Sequence, residues 1–221
     1  MSSVQAVVVA AGAGRRFGGA KLDALLGGRT VLDRTLEAFE SHPEVGTVIL
    51  VLADEGGGRG YEAKYRKISR VVRGGLKRQD SVRKGFAALD PDENGIVLIH
   101  DGARPLVGRE LISRVIDATR AHGAAVPLVP LNDTLKETRA GRIVRTIDRS
   151  LLFGAQTPQG FFYPRLKGML EGGERAGFSG TDEATLAERM GISVEAVDGD
   201  PRNIKITTSL DLKIAEALLD A

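Results

Sequence analysis

Hydrophobic residues recur along the chain as short unbroken runs, separated by stretches in which they return at helical spacing. Val7, Val8 and Val9 form one run, and 48–52, 96–99 (Ile96-Val97-Leu98-Ile99) and 124–129 form others. A segment apolar at every position is the pattern of a strand buried on both faces, as in a parallel sheet. Between the runs, Val31, Leu32, Thr35, Leu36 and Phe39 return with a helical period that stops near Ser41-His42-Pro43, and Leu111, Val115 and Ile116 mark another helix closing at Gly123. Helices are also expected over 61–68, 81–89, 163–170, 182–190 (capped by Thr181) and 209–219, the last with Leu210, Ile214, Ala217 and Leu218 on one face. Short strands are expected at 71–72, 194–197 and 203–206, and a proline-punctuated strand or turn at Gln156-Thr157-Pro158-Gln159. Strands alternating with helices predict one α/β domain over residues 1–221 with a mostly parallel sheet.

Two stretches depart from that rhythm. Glycines and an arginine at 56–60 read as a surface loop. Residues 132–148 alternate apolar and polar positions about Arg139-Ala140-Gly141, the pattern of an antiparallel hairpin. A two-stranded ribbon is only marginally stable alone, so this arm, at about 132–150, is expected to pack on something, a second subunit above all.

Composition narrows the classes. The 221 residues are 42% hydrophobic and 27% charged, ordinary for a globular domain, and no apolar run approaches the roughly 18 residues of a membrane span. The opening M-S-S-V-Q lacks a basic segment leading into an apolar run, so no signal peptide is expected. The chain contains no cysteine, which rules out disulfides, thiolate zinc and a cysteine nucleophile and fits a cytoplasmic location. A formal charge of +2, with basic and acidic residues interspersed, gives no nucleic-acid stripe; 5% aromatics without tryptophan give no base-stacking platform.

The first run feeds a glycine-rich loop, V-V-V-A-A-G-A-G-R-R-F-G-G-A-K from Val7 to Lys21. Glycines there let backbone N–H groups approach an anion. The dinucleotide pattern G-x-G-x-x-G fails because Phe17 stands where the third glycine belongs, and a Walker A loop fails because Lys21 lies between Ala20 and Leu22. Three cations, Arg15, Arg16 and Lys21, suit a triphosphate better than a dinucleotide; the alternative is a tight turn with solvated arginines. Asp54, where a dehydrogenase would hold a ribose, lies about 40 residues beyond Gly14 against the usual ~20.

A second loop, Arg73-Gly74-Gly75-Leu76-Lys77-Arg78-Gln79-Asp80-Ser81, repeats the combination of strand, glycines and cations. Two anion-friendly turns on one parallel sheet would flank the same crevice; a basic surface turn is the plain alternative. The strand at 96–99 ends in His100-Asp101-Gly102-Ala103-Arg104-Pro105. Asp101 beside a polyphosphate points to a bridging Mg²⁺, which takes oxygen ligands. Arg104 would alternatively pair with Asp101 as a structural ion pair, and His100 is assigned no role beyond that of a satisfied core histidine.

In order and spacing, A-A-G-A-G-R-R-F-G with Lys21, the run from Gly74 to Val82, H-D-G-A-R-P, Asp133-Thr134, Asp148-Arg149, Q-T-P-Q, Thr181-Asp182-Glu183 and N-I-K-I-T at 203–207 resemble the 2-C-methyl-D-erythritol 4-phosphate cytidylyltransferase family nearly end to end. The resemblance implies a Rossmann-like nucleotidyltransferase sandwich with a protruding β-hairpin arm. It implies transfer of a cytidylyl group from CTP to methylerythritol phosphate with release of pyrophosphate. Arg16, Lys21 and Lys205 would be catalytic, with Mg²⁺ assisting. Ala11, Gly12, Ala13 and Gly14 would cradle phosphates. Gly74, Gly75, Arg78 and Ser81 would read cytosine and ribose. Asp101, Arg104, Arg149, Thr157 and Lys205 would meet the acceptor. The arm would clasp a twin, bringing Thr134 and Arg149 to the neighbouring site of a homodimer. Ala20 and Leu22 depart from the family's usual Pro and Gln around the lysine. A cytidylyltransferase for another polyol phosphate, such as ribitol 5-phosphate, and a non-catalytic nucleotide-binding regulatory protein are the alternatives.

Overall fold

The computed structural model describes residues 3–12, 17, 19–54 and 58–219. Its strands are β1 (Val4–Ala10), β2 (Leu25–Leu26), β3 (Arg29–Thr30), β4 (Val45–Leu52), β5 (Ile68–Arg73), β6 (Ile96–Asp101), β7 (Ala124–Pro130), β8 (Lys136–Arg139), β9 (Arg142–Thr146), β10 (Phe153–Ala155), β11 (Gln159–Phe162) and β12 (Glu195–Asp198). Its helices are α1 (Val31–Ser41), α2 (Arg59–Lys64), α3 (Arg78–Ala87), α4 (Arg109–His122), α5 (Tyr163–Arg175), α6 (Glu183–Arg189) and α7 (Ser209–Leu219).

The main sheet runs β12, β7, β11, β6, β1, β4, β5. Neighbours from β6 to β5 are parallel, whereas β11 is antiparallel to both β6 and β7. β10 continues β11 along the same edge of β7. Successive strand residues face opposite sides of a sheet. Both sides are apolar here because both are covered. Ala6, Val8, Leu50, Ile96 and Leu98 pack with Leu32, Leu36 and Phe39 of α1 and Ile112, Val115 and Ile116 of α4. Val7, Ile49, Val51, Val97 and Ile99 pack with Val82 and Phe86 of α3, Leu166 and Met169 of α5 and Leu186 of α6. The result is a three-layer sandwich, and the expected mostly parallel α/β architecture is the one observed. After β1 the chain builds β4 and β5 on one side and then crosses to β6 on the other, which opens a crevice at the carboxyl ends of β1 and β6.

The arm is present. β8 and β9 pair with each other and stand apart from the main sheet, and every residue of β9 is exposed. Ala140 and Gly141 connect them with φ of 48° and 76°, the two positive angles of a type I′ hairpin turn.

Several boundaries differ from the sequence reading. The helix expected over 61–68 is α2, ending at Lys64, because the Glu40 carboxylate accepts the Arg66 and Lys67 N–H groups (3.1 and 3.0 Å) and Ile68 enters β5 beside Val48. Gly60 lies inside α2 rather than in a loop, while 55–57 fall outside the described residues. The N-cap of α6 is Asp182, not Thr181, with its carboxylate accepting the Thr185 N–H at 3.0 Å. Residues 203–206 form no strand. Their N–H groups make local turn bonds, Asn203 to the Asp200 carbonyl (2.9 Å) and Ile204 to that of Arg202 (2.8 Å), and one distant bond, Ile206 to the Ala103 carbonyl (2.8 Å), while side chains donate to the Asn203 and Ile206 carbonyls. On α7 the buried residue is Ala215; Leu210 and Ile214 point outward, 64% and 44% exposed.

Candidate active site

The crevice is a cleft of about 400 Å³ between the ends of β1, β5 and β6 and the start of α3. Among its described lining residues, Lys21, Lys77, Arg78 and Lys205 oppose one carboxylate, Asp101. This excess of positive charge in a concave wall focuses the field that attracts a polyphosphate. Sequence-distant segments meet here, as the two-turn expectation required: the first loop contributes Ala11 and Gly12, the second Gly75 to Arg78 and Ser81.

The second loop owes its glycines to packing. A Cβ on Gly74 would strike that of Ala11 and come within 2.7 Å of Ser81 Oγ, and one on Gly75 would strike Asp80 Cβ. Among the described residues, a Cβ on Gly12 would meet nothing within 4 Å. Ser81, 2% exposed, accepts the Gly75 N–H at 3.0 Å and donates to the Lys77 carbonyl at 3.3 Å, shaping the loop from behind. Lys77 N–H donates to Asp80 Oδ2 (3.1 Å), which starts α3 at Arg78, three residues earlier than the periodicity suggests.

Asp101 sits at the end of β6 between two cations. Arg78 Nε donates to its Oδ1 at 2.8 Å and Lys205 Nζ to its Oδ2 at 2.7 Å. Burial alone would raise the Asp101 carboxyl, but Arg78 and Lys205 outweigh it and hold the group well below the usual carboxylate range. Asp101 is therefore ionised at neutral pH. The alternative Arg104–Asp101 pair is not what forms. Arg104 Nη1 donates to the Asn203 carbonyl (2.7 Å) and Nη2 to that of Ala155 (3.4 Å), tying the segment at 203–207 beneath the cleft.

Behind Asp101 lies a buried polar relay. Its N–H donates to Thr157 Oγ1 (3.1 Å), and that hydroxyl lies 3.1 Å from His100 Nδ1. His100 Nε2 is 3.3 Å from the Arg104 carbonyl, which can only accept, so Nε2 carries the proton and Nδ1 accepts from Thr157. Burial pushes the His100 ring down to about 3, so it is neutral. Gln156 Nε2 donates to the Asp200 carbonyl (2.8 Å) and Asn203 Nδ2 to the Thr157 carbonyl (2.9 Å), bracing the turn through the cis Thr157–Pro158 bond.

A family model described as IspD: 2-C-methyl-D-erythritol 4-phosphate cytidylyltransferase matches residues 4–221. The chain belongs to this family. Among its relatives, the 2-C-methyl-D-erythritol 4-phosphate cytidylyltransferase of Geobacillus kaustophilus is 41% identical over 97% of this chain and 96% of its own length. The bifunctional enzyme IspD/IspF of Paramagnetospirillum magneticum is 44% identical over 100% of this chain, which spans 58% of that relative. A crystal structure of 2-C-methyl-D-erythritol 4-phosphate cytidylyltransferase from Thermus thermophilus superposes with a TM-score of 0.82 at 34% identity, covering 97% of this chain and 98% of that one. A 4-diphosphocytidyl-2C-methyl-D-erythritol synthase from Anaerococcus prevotii superposes at 0.87 with 33% identity, covering 100% of this chain and 99% of that one.

Within this cytidylyltransferase fold, the predicted site residues fall into four groups. Ala11, Gly12, Lys21, Gly75, Arg78, Ser81, Asp101 and Lys205 converge on the cleft, and Lys21 Nζ donates to the Ile206 carbonyl at 3.1 Å. Gly74, Arg104 and Thr157 lie behind it as supports. Thr134 and Arg149 belong to the exposed arm; Arg149 Nη1 donates to the Leu131 carbonyl (3.1 Å), and neither residue lines the cleft of its own chain. Ala13, Gly14 and Arg16 lie outside the described residues. Sequence reasoning left Glu183, Gln156 and Asn203 without roles. All three sit in quoted motifs, T-D-E, Q-T-P-Q and N-I-K-I-T, and their burial (1%, 5% and 0% exposed) is the signal that motif matching lacks. No group of three or more His, Cys, Asp or Glu positioned for a metal occurs among the described residues.

Proposed function

We propose that this chain transfers the cytidylyl group of CTP to 2-C-methyl-D-erythritol 4-phosphate, releasing pyrophosphate, as a step of non-mevalonate isoprenoid precursor biosynthesis. The observation that carries this reading is Asp101, clamped between Arg78 and Lys205 in a cation-lined cleft at the switch point of the sheet. One oxygen of the acceptor phosphate attacks the α-phosphorus in line while the bond to the bridging α–β oxygen breaks. The nucleophile is already ionised, so no general base is needed, and charge neutralisation carries the catalysis. Lys21, with Arg16 from the same loop, meets the triphosphate; the Lys205–Asp101 pair faces the acceptor.

Mg²⁺ fits as an assisting ion. One carboxylate together with phosphate oxygens and water is its ordinary donor set, and Asp101 is the ionised carboxylate of the cleft wall. Bound there, the ion would neutralise developing phosphate charge. The functional unit in this reading is a homodimer joined through the arm, where Ile143 and Val144 are 67% and 54% exposed and Thr134 and Arg149 await a neighbouring cleft. Among the described residues no helix is long and apolar enough to cross a membrane, and the lack of cysteine supports a cytoplasmic setting.

The reading is tested by incubating the protein with CTP, Mg²⁺ and methylerythritol phosphate, with ribitol 5-phosphate alongside. Pyrophosphate release with the first acceptor is expected. Release only with the second, or nucleotide binding without turnover, would overturn it.

A further inference from the structure

Glu183 takes no part in the chemistry just described, yet it is among the most deeply buried charged groups of the molecule. Its side chain is 1% exposed, and it opens α6. The helix start is pinned to the sheet: Gln159 Nε2 donates to Asp182 Oδ2 at 2.8 Å, and Gln159 Oε1 accepts the Ala184 N–H at 3.1 Å. From that anchored position the Glu183 carboxylate takes Arg78 Nη1 on both oxygens, at 2.8 and 3.0 Å. The same guanidinium reaches Asp101 through Nε. Charges therefore alternate along Glu183, Arg78, Asp101 and Lys205.

A planar guanidinium held by carboxylates on two of its edges has little freedom left to roll or slide. With Glu183 removed, Arg78 would be free to turn an Nη edge to Asp101 and draw that carboxylate out of line. Such a buried pair contributes little net stability compared with apolar residues of the same shape, so its presence is better explained by geometry than by stability. Burial pushes the Glu183 carboxyl up and Arg78 opposes the shift, as expected for a charge set in place by its partner.

The geometry points to Glu183 as a positioning residue that aims Arg78 at Asp101 and so sets where Asp101 and Lys205 meet the acceptor phosphate. It rests on the reading above for what Asp101 serves, while the orientation of Arg78 does not depend on that reading.

The test compares the wild type with Glu183→Gln, which keeps the shape and removes the charge, and Glu183→Asp, which keeps the charge and shortens the reach. In both variants the KM for methylerythritol phosphate should rise by about tenfold or more, since displacing a positioning group by a fraction of an ångström has effects of this order. CTP affinity, measured by calorimetry without acceptor, should change less than this KM, because Glu183 reaches the acceptor side through Arg78 and Asp101. In an Arg78→Met background, Glu183→Gln should change the kinetics no further. A merely structural role would lower kcat in proportion to the folded fraction and leave both substrate constants alone. That result, or full additivity with Arg78→Met, would overturn the inference. If the wild type shows no turnover, the activity reading fails but the positioning claim is still decided by NMR. The Arg78 Nε–H resonance should be downfield and slow to exchange in the wild type and lost in Glu183→Gln. An unchanged resonance would refute it.

Discussion

Replacing His100 with glutamine should flatten the acid sensitivity of the fold. The imidazole is fully buried, packs its ring 4.9 Å from Phe39, and is neutral with Nε2 donating and Nδ1 accepting. Burial pushes its pKa down to about 3, against roughly 6.5 in the unfolded chain. Between those values the unfolded state binds the proton more readily, so stability rises with pH across the window. The contribution is complete above about pH 6.5 and is lost as the pH falls toward 3. Going from about pH 7.5 to about pH 5 removes about 2 kcal/mol, and reaching pH 3 removes about 4 kcal/mol. His42, also lowered by burial, tilts the curve the same way, and Glu183, raised by burial, tilts it the other way, so the difference between wild type and variant isolates His100. Urea unfolding of both proteins at about pH 7.5 and about pH 5 gives that difference directly. The wild type should lose about 2 kcal/mol more than His100→Gln over this interval. Equal losses would show that the ring is not held neutral behind Asp101, and the relay through Thr157 would have to be redrawn.

Other outcomes follow from the charge cluster and the arm. Arg78→Met strips the partner from a carboxylate that is 1% exposed, while Asp101 keeps Lys205; chemical denaturation should show a loss of about 3–5 kcal/mol, reduced on acidification as Glu183 takes a proton. A variant as stable as the wild type at every pH would contradict that. Lys205→Met should lower kcat/KM by about 10²–10³, as removal of one preorganised charge at a developing transition state does, with thermal stability nearly unchanged. Full activity in this variant would remove Lys205 from the mechanism. Ile143→Asp on the arm should shift sedimentation from dimer to monomer and take activity with it; an active monomer would separate the arm from the site.

Much of this fold is legible along the chain because strands buried on both faces leave unbroken apolar runs, as Val7 to Val9 and Ile96 to Ile99 do. The hairpin is legible too, since Ala140-Gly141 names its turn. What escapes has a common cause. Residues 203–206 look like a strand by composition, but their polar groups go to local turn bonds with Asp200 and Arg202 and to distant partners, Ala103 and Arg104, rather than to a neighbouring strand. The cleft is foreshadowed by the cations of two loops and the acid of a third segment. For the glycines at 74 and 75 the local pattern suggests anion approach, whereas the pressure on them is steric, from Ala11, Ser81 and Asp80. For Arg78 it suggests a nucleotide contact and gives no sign of the two carboxylates its guanidinium faces, one of them 105 positions away. Local pattern carries no trace of such a pairing, because neither partner has a regular spacing that requires the other.

The central claim is tested most directly by mass analysis of the product formed from CTP and methylerythritol phosphate with Mg²⁺. A cytidine diphosphate ester of methylerythritol should form in equal amount to pyrophosphate. Hydrolysis of CTP without that ester, or no reaction while CTP binds, would contradict it.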